Sequence, residues 1–166
     1  MKTGMLICVL LLVVTAAPAA YEDGGFEQAR CVPNCSQASF FIFSTSFGRY
    51  TIRSDGFGEL GANGKKRLFD LKPKIRLVGS LKHIYFREHE GDLLLVYQVT
   101  NGNVYLARMI QESKKVRWFT PITEDEIGAC VARGGEAHCG EGENLMKIDL
   151  NSGARVRTEE SSEKRN

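Results

Sequence analysis

From Ser39 onward the apolar residues fall in short runs or alternate with polar ones, and glycine, asparagine and serine clusters separate the runs. That period of two predicts strands rather than helices. Strands are expected at 39–46, 49–53, 67–71, 75–79, 82–88, 92–100, 103–110, 115–121, 129–133, 136–140, 144–150 and 154–158. Phe47-Gly48, Arg133-Gly-Gly-Glu136, Gly140-Glu-Gly142 and Asn151-Ser-Gly153 read as turns. Asn101-Gly102 reads as a two-residue hairpin turn with positive φ at both positions. The stretch Ser54–Lys66 holds Gly56, Gly58, Gly61 and Gly64, and is expected to be a long loop or irregular turn. Thr123-Glu-Asp-Glu126 is compatible with one helical turn capped by Thr123, and no other segment sustains a helical period. The fold class expected is all-β, built of antiparallel sheets.

Two segments align without a gap about 39 residues apart: Leu106-Ala-Arg-Met-Ile-Gln-Glu-Ser-Lys-Lys-Val-Arg-Trp118 and Leu145-Met-Lys-Ile-Asp-Leu-Asn-Ser-Gly-Ala-Arg-Val-Arg157. A period near 40 residues is the length of one four-stranded propeller blade. Ile148-Asp149, Ser152-Gly153 and the run to Val156 resemble the repeat of quinoprotein-type (pyrroloquinoline-quinone-like) β-propellers over residues 91–157. In that repeat a strand ending in Leu-Asp is followed, two residues later, by Thr-Gly and then by a Trp. The second copy has Arg157 at the Trp position; the first keeps Trp118 but has Ile110 and Lys114 for the Asp and Gly. The resemblance implies propeller-like blades, a tight turn shaped by the Asp and Ser-Gly, and a Trp packed between neighbouring blades. Propellers close with about 4–8 blades, and the chain is long enough for three and a half at most. The sheets are therefore expected to form an incomplete propeller, or one closed by association of copies, with a small β-sandwich or meander as the runner-up. No cofactor and no catalytic residue follow from the resemblance.

The ends add the compartment. Lys2, the apolar run Met5–Val14 and Ala17-Pro-Ala19 have the layout of a signal peptide, so residues 1–20 are expected to be cleaved and the protein exported to the periplasm or secreted. Residues 21–37 are expected to be a leader, mobile over 21–30, with a Cys31/Cys35 loop, 38–157 the β domain, and 158–166 a disordered charged tail. The run Met5–Val14 is too short to span a bilayer core, and no second apolar stretch is long enough to cross a membrane. Cys8 leaves with the signal, and four cysteines in an oxidising compartment read as two disulfides. Sequence proximity favours Cys31–Cys35 and Cys130–Cys139 among three pairings.

Chemistry is harder to find. Net charge is +2, so no general attraction to nucleic acid is expected. Lys65–Lys82 carries seven basic residues against the single acid Asp70, interleaved with Leu68, Phe69 and Leu71. Lys65, Lys66, Arg67, Lys72, Lys74 and Arg76 are the candidate binding residues, for an anionic glycan, a lipid headgroup or an acidic protein. The leading expectation is a non-enzymatic binding or scaffold module. One alternative is a polymer-directed hydrolase using Glu88, Glu90 and Asp92, which look like alternate positions of one strand start. Another is a metal protein using His138 and the cysteines. His83 and His89, six residues apart, are expected on one strand face. The string Gly56-Phe-Gly-Glu-Leu-Gly61 matches a dinucleotide-binding pattern but lacks a following helix. No metal site and no cofactor are assigned.

Overall fold

The structure, a computed structural model, describes residues 24–38, 40–62, 65–71, 79–122, 130–142 and 145–156, with residues 62 and 65–67 described by backbone alone. The expected signal peptide, the helical turn at 123–126, the strand at 75–79 and the charged tail lie largely or wholly outside those residues.

Twelve strands form three consecutive antiparallel meanders of four. The first is β4 (Phe40–Thr45), β5 (Gly48–Arg53), β6 (Phe57–Ala62) and β7 (Lys65–Asp70). The second is β8 (Leu81–His89), β9 (Asp92–Val99), β10 (Val104–Ile110) and β11 (Lys115–Ile122). The third is β12 (Cys130–Arg133), β13 (Glu136–Cys139), β14 (Met146–Asp149) and β15 (Arg155–Val156). They are called here the first, middle and last sheets. The two sequence copies occupy equivalent places, spanning the third and fourth strands of the middle and last sheets.

Each sheet gains a fifth strand from the amino-terminal segment. β1 (Gly24–Gly25) pairs with β12, β2 (Glu27–Gln28) with β8 and β3 (Arg30–Val32) with β4. Residues 24–32 therefore are not a mobile leader: they cross the leading edge of all three sheets, with Ala29 buried and Phe26 packed against the core. The pairing satisfies backbone groups that the first strand of each meander would otherwise leave open.

The middle sheet lies between the other two. Leu93, Leu95 and Tyr97 of β9 join the core with Phe41, Phe43, Tyr50 and Ile52 of the first sheet, whereas Leu94 and Val96 join Ala132, Ala137 and Ile148 of the last. A strand buried on both faces needs a continuous apolar run, which Leu93-Leu-Leu-Val96 supplies.

The glycine-rich stretch is strand, not loop: it holds β6 and the start of β7. Gly58 stands opposite Phe69, and a Cβ there would come within 2.0 Å of the ring, so the aromatic side chain fills the space a side chain on β6 would take. At Asn101-Gly102 only the glycine has positive φ (94°), because the β9–β10 turn is wider than two residues and Asn101 Oδ1 accepts from the Asn103 amide at 3.1 Å. Cys31–Cys35 and Cys130–Cys139 are both disulfide-bonded, with Cα separations of 4.9 and 4.0 Å.

Candidate binding groove

β7 and β11 are the final strands of adjacent meanders, so each forms a sheet edge. An open groove of about 780 Å³ lies between them, lined by Leu68–Asp70 of β7 and by residues 113–119 on and before β11. Its apolar part is Leu68, Val116, Trp118 and Phe119, and Leu68 is 76% exposed. Its charged part is Lys115 and Arg117, both exposed, with Asp70 opposite. Lys114, at φ 58°, is drawn down instead: its ammonium donates to the Gln111 carbonyl and, at 2.8 Å, to Gln111 Oε1.

A β-bulge shapes this wall. Arg108 pairs with Trp118 and Met109 with Val116, leaving Arg117 as the extra residue. Without it Val116 and Trp118 would share a face; with it Val116 turns to the first sheet and Trp118 to the last. Trp118 lies over Gly153, where a Cβ would come within 2.5 Å of the indole, and its Nε1–H donates to the Leu150 carbonyl at 3.2 Å. The 149–154 turn is held from within by Asp149 Oδ1, which accepts from the Ser152 amide (2.7 Å) and hydroxyl (2.6 Å). Those two bonds hold the Asp149 carboxyl below the usual range. The half-motifs of the two sequence copies thus meet in one contact, the Trp from the middle sheet and the Asp/Ser-Gly turn from the last.

Beside this contact is a buried ion pair. Arg108 Nε donates to Asp92 Oδ2 at 2.7 Å, and Nη1 donates to the Leu150 carbonyl (3.0 Å) and Asn151 Oδ1 (3.2 Å). Glu90, in the β8–β9 turn at φ 49°, places Oε2 at 3.4 Å from Arg108 Nη2 and 3.6 Å from His89 Nε2. Burial holds the His89 pKa down; Glu90 and Asp92 oppose that shift, while Arg108 and Arg87 add to it.

The expected binding residues divide. Lys65, Lys66 and Arg67 are on β7, immediately before the groove residues Leu68–Asp70, whereas Lys72, Lys74 and Arg76 lie outside the described residues. Lys115 and Arg117 are the addition. Their signal was the Lys114-Lys-Val-Arg117 run, but only the fold brings β11 beside β7.

The alternatives fare differently. Glu88, Glu90 and Asp92 are not alternate positions of one strand, because a hairpin turn intervenes. Glu88, next to the end of β8, faces the first sheet, where its carboxylate accepts from the amide and hydroxyl of Ser46. Asp92 faces the last sheet and is committed to Arg108. Glu88 and Asp92 therefore lie on opposite faces of the middle sheet, while Glu90 and Asp92 meet at the Arg108 guanidinium. For the metal reading, the four cysteines are tied up as disulfides, His138 Nε2 lies 3.0 Å from Glu136 Oε2, and no group of three metal-ligating side chains occurs among the described residues. His83 and His89 do share a strand face, about 20 Å apart at the rise of an extended chain. Burial, with Lys82 adding to it, lowers the His83 pKa. Among the described residues no helix is long and apolar enough to cross a membrane. Compared with protein-family models, with curated proteins and with solved structures, the chain finds no match in any of the three.

Proposed function

We propose that the protein is an exported binding or scaffold module that holds an anionic, partly apolar partner in the groove between β7 and β11. The observation that carries this reading is the joining of an apolar floor to a cationic rim, with Leu68, Val116 and Phe119 between exposed Lys115 and Arg117. Lys65, Lys66 and Arg67 extend the basic character along β7. An apolar anion gains twice there, by removing its hydrophobic part from water and by pairing its charge at a surface of lowered dielectric. The two disulfides suit an oxidising compartment, which supports export. In the same reading the three sheets are propeller-like blades of the quinoprotein type, supported by the Trp118–Gly153 contact and the Asp149–Ser152 turn.

The test uses an apolar anion as probe. Fluorescence titration with anilinonaphthalene sulfonate is expected to show one saturable site on the folded protein, weakened about tenfold or more in Lys115→Glu/Arg117→Glu. Equal binding by the double variant, at physiological salt, would remove the groove as the binding site.

A further inference from the structure

The outer face of the first sheet is its most unusual surface. Inward positions on β4 to β6 are Phe41, Phe43, Tyr50, Ile52 and Leu60, all buried. The alternate positions point away from the middle sheet. Among the described residues four large hydrophobic side chains are exposed; Phe40 (42%) and Phe57 (43%) stand on this face across β4 to β6, and Leu68 of β7 belongs to the groove. Clustering of that kind marks an interaction surface, whereas single exposed apolar residues do not.

The cross-strand register fixes the pattern. One row runs Arg30, Ile42, Thr51, Glu59 across β3 to β6. The next runs Val32, Phe40, Arg53, and then Phe57, the position beyond the Ile52–Gly58 pair. Consider a twofold axis parallel to the strands, between β4 and β5. It lays β3 over a second copy's β6, and β4 over that copy's β5, keeping each row in place. Arg30 then faces the second copy's Glu59, Val32 faces Phe57, and Phe40 faces Arg53, whose guanidinium also pairs with Asp55 of its own chain at 2.5 Å. Each contact occurs twice, as an isologous interface requires. The strand directions stay aligned, as in face-to-face sheet packing.

We propose that this face is a self-association surface, and that its occupant is a second copy of the same chain related by that axis. β7 lies beyond the overlapped strands, so the groove stays open. Three strands of six residues and β3 of three cover at most roughly 15 by 20 Å, a footprint smaller than the roughly 800 Å² per partner of a standard interface. The dimer is accordingly a weak, concentration-dependent one.

Sedimentation velocity on the oxidised protein, from about 10 to 500 µM, tests the arrangement. The wild type is expected to shift from monomer to dimer across that range. Arg30→Glu and Glu59→Arg, each at a surface position, are expected to weaken dimerisation about tenfold or more, because each homodimer then holds two like-charge contacts. Mixed in equal amounts, the two variants are expected to regain dimer to within about threefold of wild type, since the mixed dimer restores both opposite-charge contacts. Circular dichroism melts confirm that both variants fold. A wild type that stays monomeric at the highest concentration overturns the proposal. So does dimerisation unchanged in either variant, or a mixture that stays monomeric.

Discussion

The middle sheet is gripped on its two faces by different means. Toward the first sheet the contact is mainly aromatic: Phe43 stacks on Phe86 of the middle sheet at 4.3 Å, backed within its own sheet by Tyr50 at 4.8 Å and by Phe69 edge-on to Tyr50 at 5.8 Å, with the Glu88–Ser46 hydrogen bonds at its rim. Toward the last sheet the strands are short, the inward residues include Ala132 and Ala137, and polar groups take over. Arg108 and Trp118 both bind the Leu150 carbonyl, Thr120 Oγ1 donates to the Gly153 carbonyl at 2.5 Å, and Arg155 donates to the Pro121 carbonyl at 2.9 Å. An aromatic interface is non-directional and tolerates small displacements. A ladder of hydrogen bonds onto one turn does not, so the smaller sheet is docked at one position by directional contacts rather than by area.

Four substitutions probe the directional mode. The largest effect is expected from Arg108→Leu, which leaves Asp92 buried without its guanidinium and costs about 3–5 kcal/mol. Arg108→Leu/Asp92→Leu is expected to recover most of that loss in denaturant unfolding, because the pair's value lies in placement more than in net energy. If the double variant is no better than the single, the pair is contributing stability in its own right. A smaller loss, about 1–3 kcal/mol, is expected for Gly153→Ala, where φ is +73° and the new Cβ meets the indole. Adding Trp118→Gly to that variant relieves the clash but not the backbone strain, so the double-mutant cycle divides the two.

The smallest effect is in pH dependence. The His89 pKa is lowered in the fold, so between its ordinary value of 6.5 and its lower folded value the unfolded chain binds more protons than the native one. Stability is therefore fully present above pH 6.5 and falls as the pH drops toward the folded pKa. His89→Asn is expected to flatten the slope of unfolding free energy between pH 6.5 and 5. An unchanged slope would place the acid sensitivity on His83, whose pKa burial also lowers.

Much of this architecture could be read from residues alone, for physical reasons that also mark the limits. Leu93-Leu-Leu-Val96 announced a strand, since nothing but a packed interior suits four consecutive apolar residues between turn signals. Its role as the strand buried on both faces emerged only with the layers in place. β6 escaped because Gly58 and Gly61 erase the alternation on which strand recognition rests; Phe69, on the neighbouring strand, supplies the missing bulk. β1 to β3 escaped because two- and three-residue strands have no period. For the groove, the basic run beginning at Lys65 was legible as composition. Its facing half, Lys115 and Arg117, was not, because the adjacency of β7 and β11 is a property of topology. The two aligned segments take equivalent places in the middle and last sheets, and Trp118 of the first packs on Gly153 of the second.

The segment that crosses the three leading edges also sets an order of events in time. Gly24 and Gly25 have as partners Ala132 and Val131, so the strand nearest the start of the sheets has nothing to bind until the final meander exists. Closing so long a loop before its partner is formed costs chain entropy with no return. The earliest strand of the fold is therefore among the last to find its place, and the β12 edge of the last sheet stays unprotected until it does.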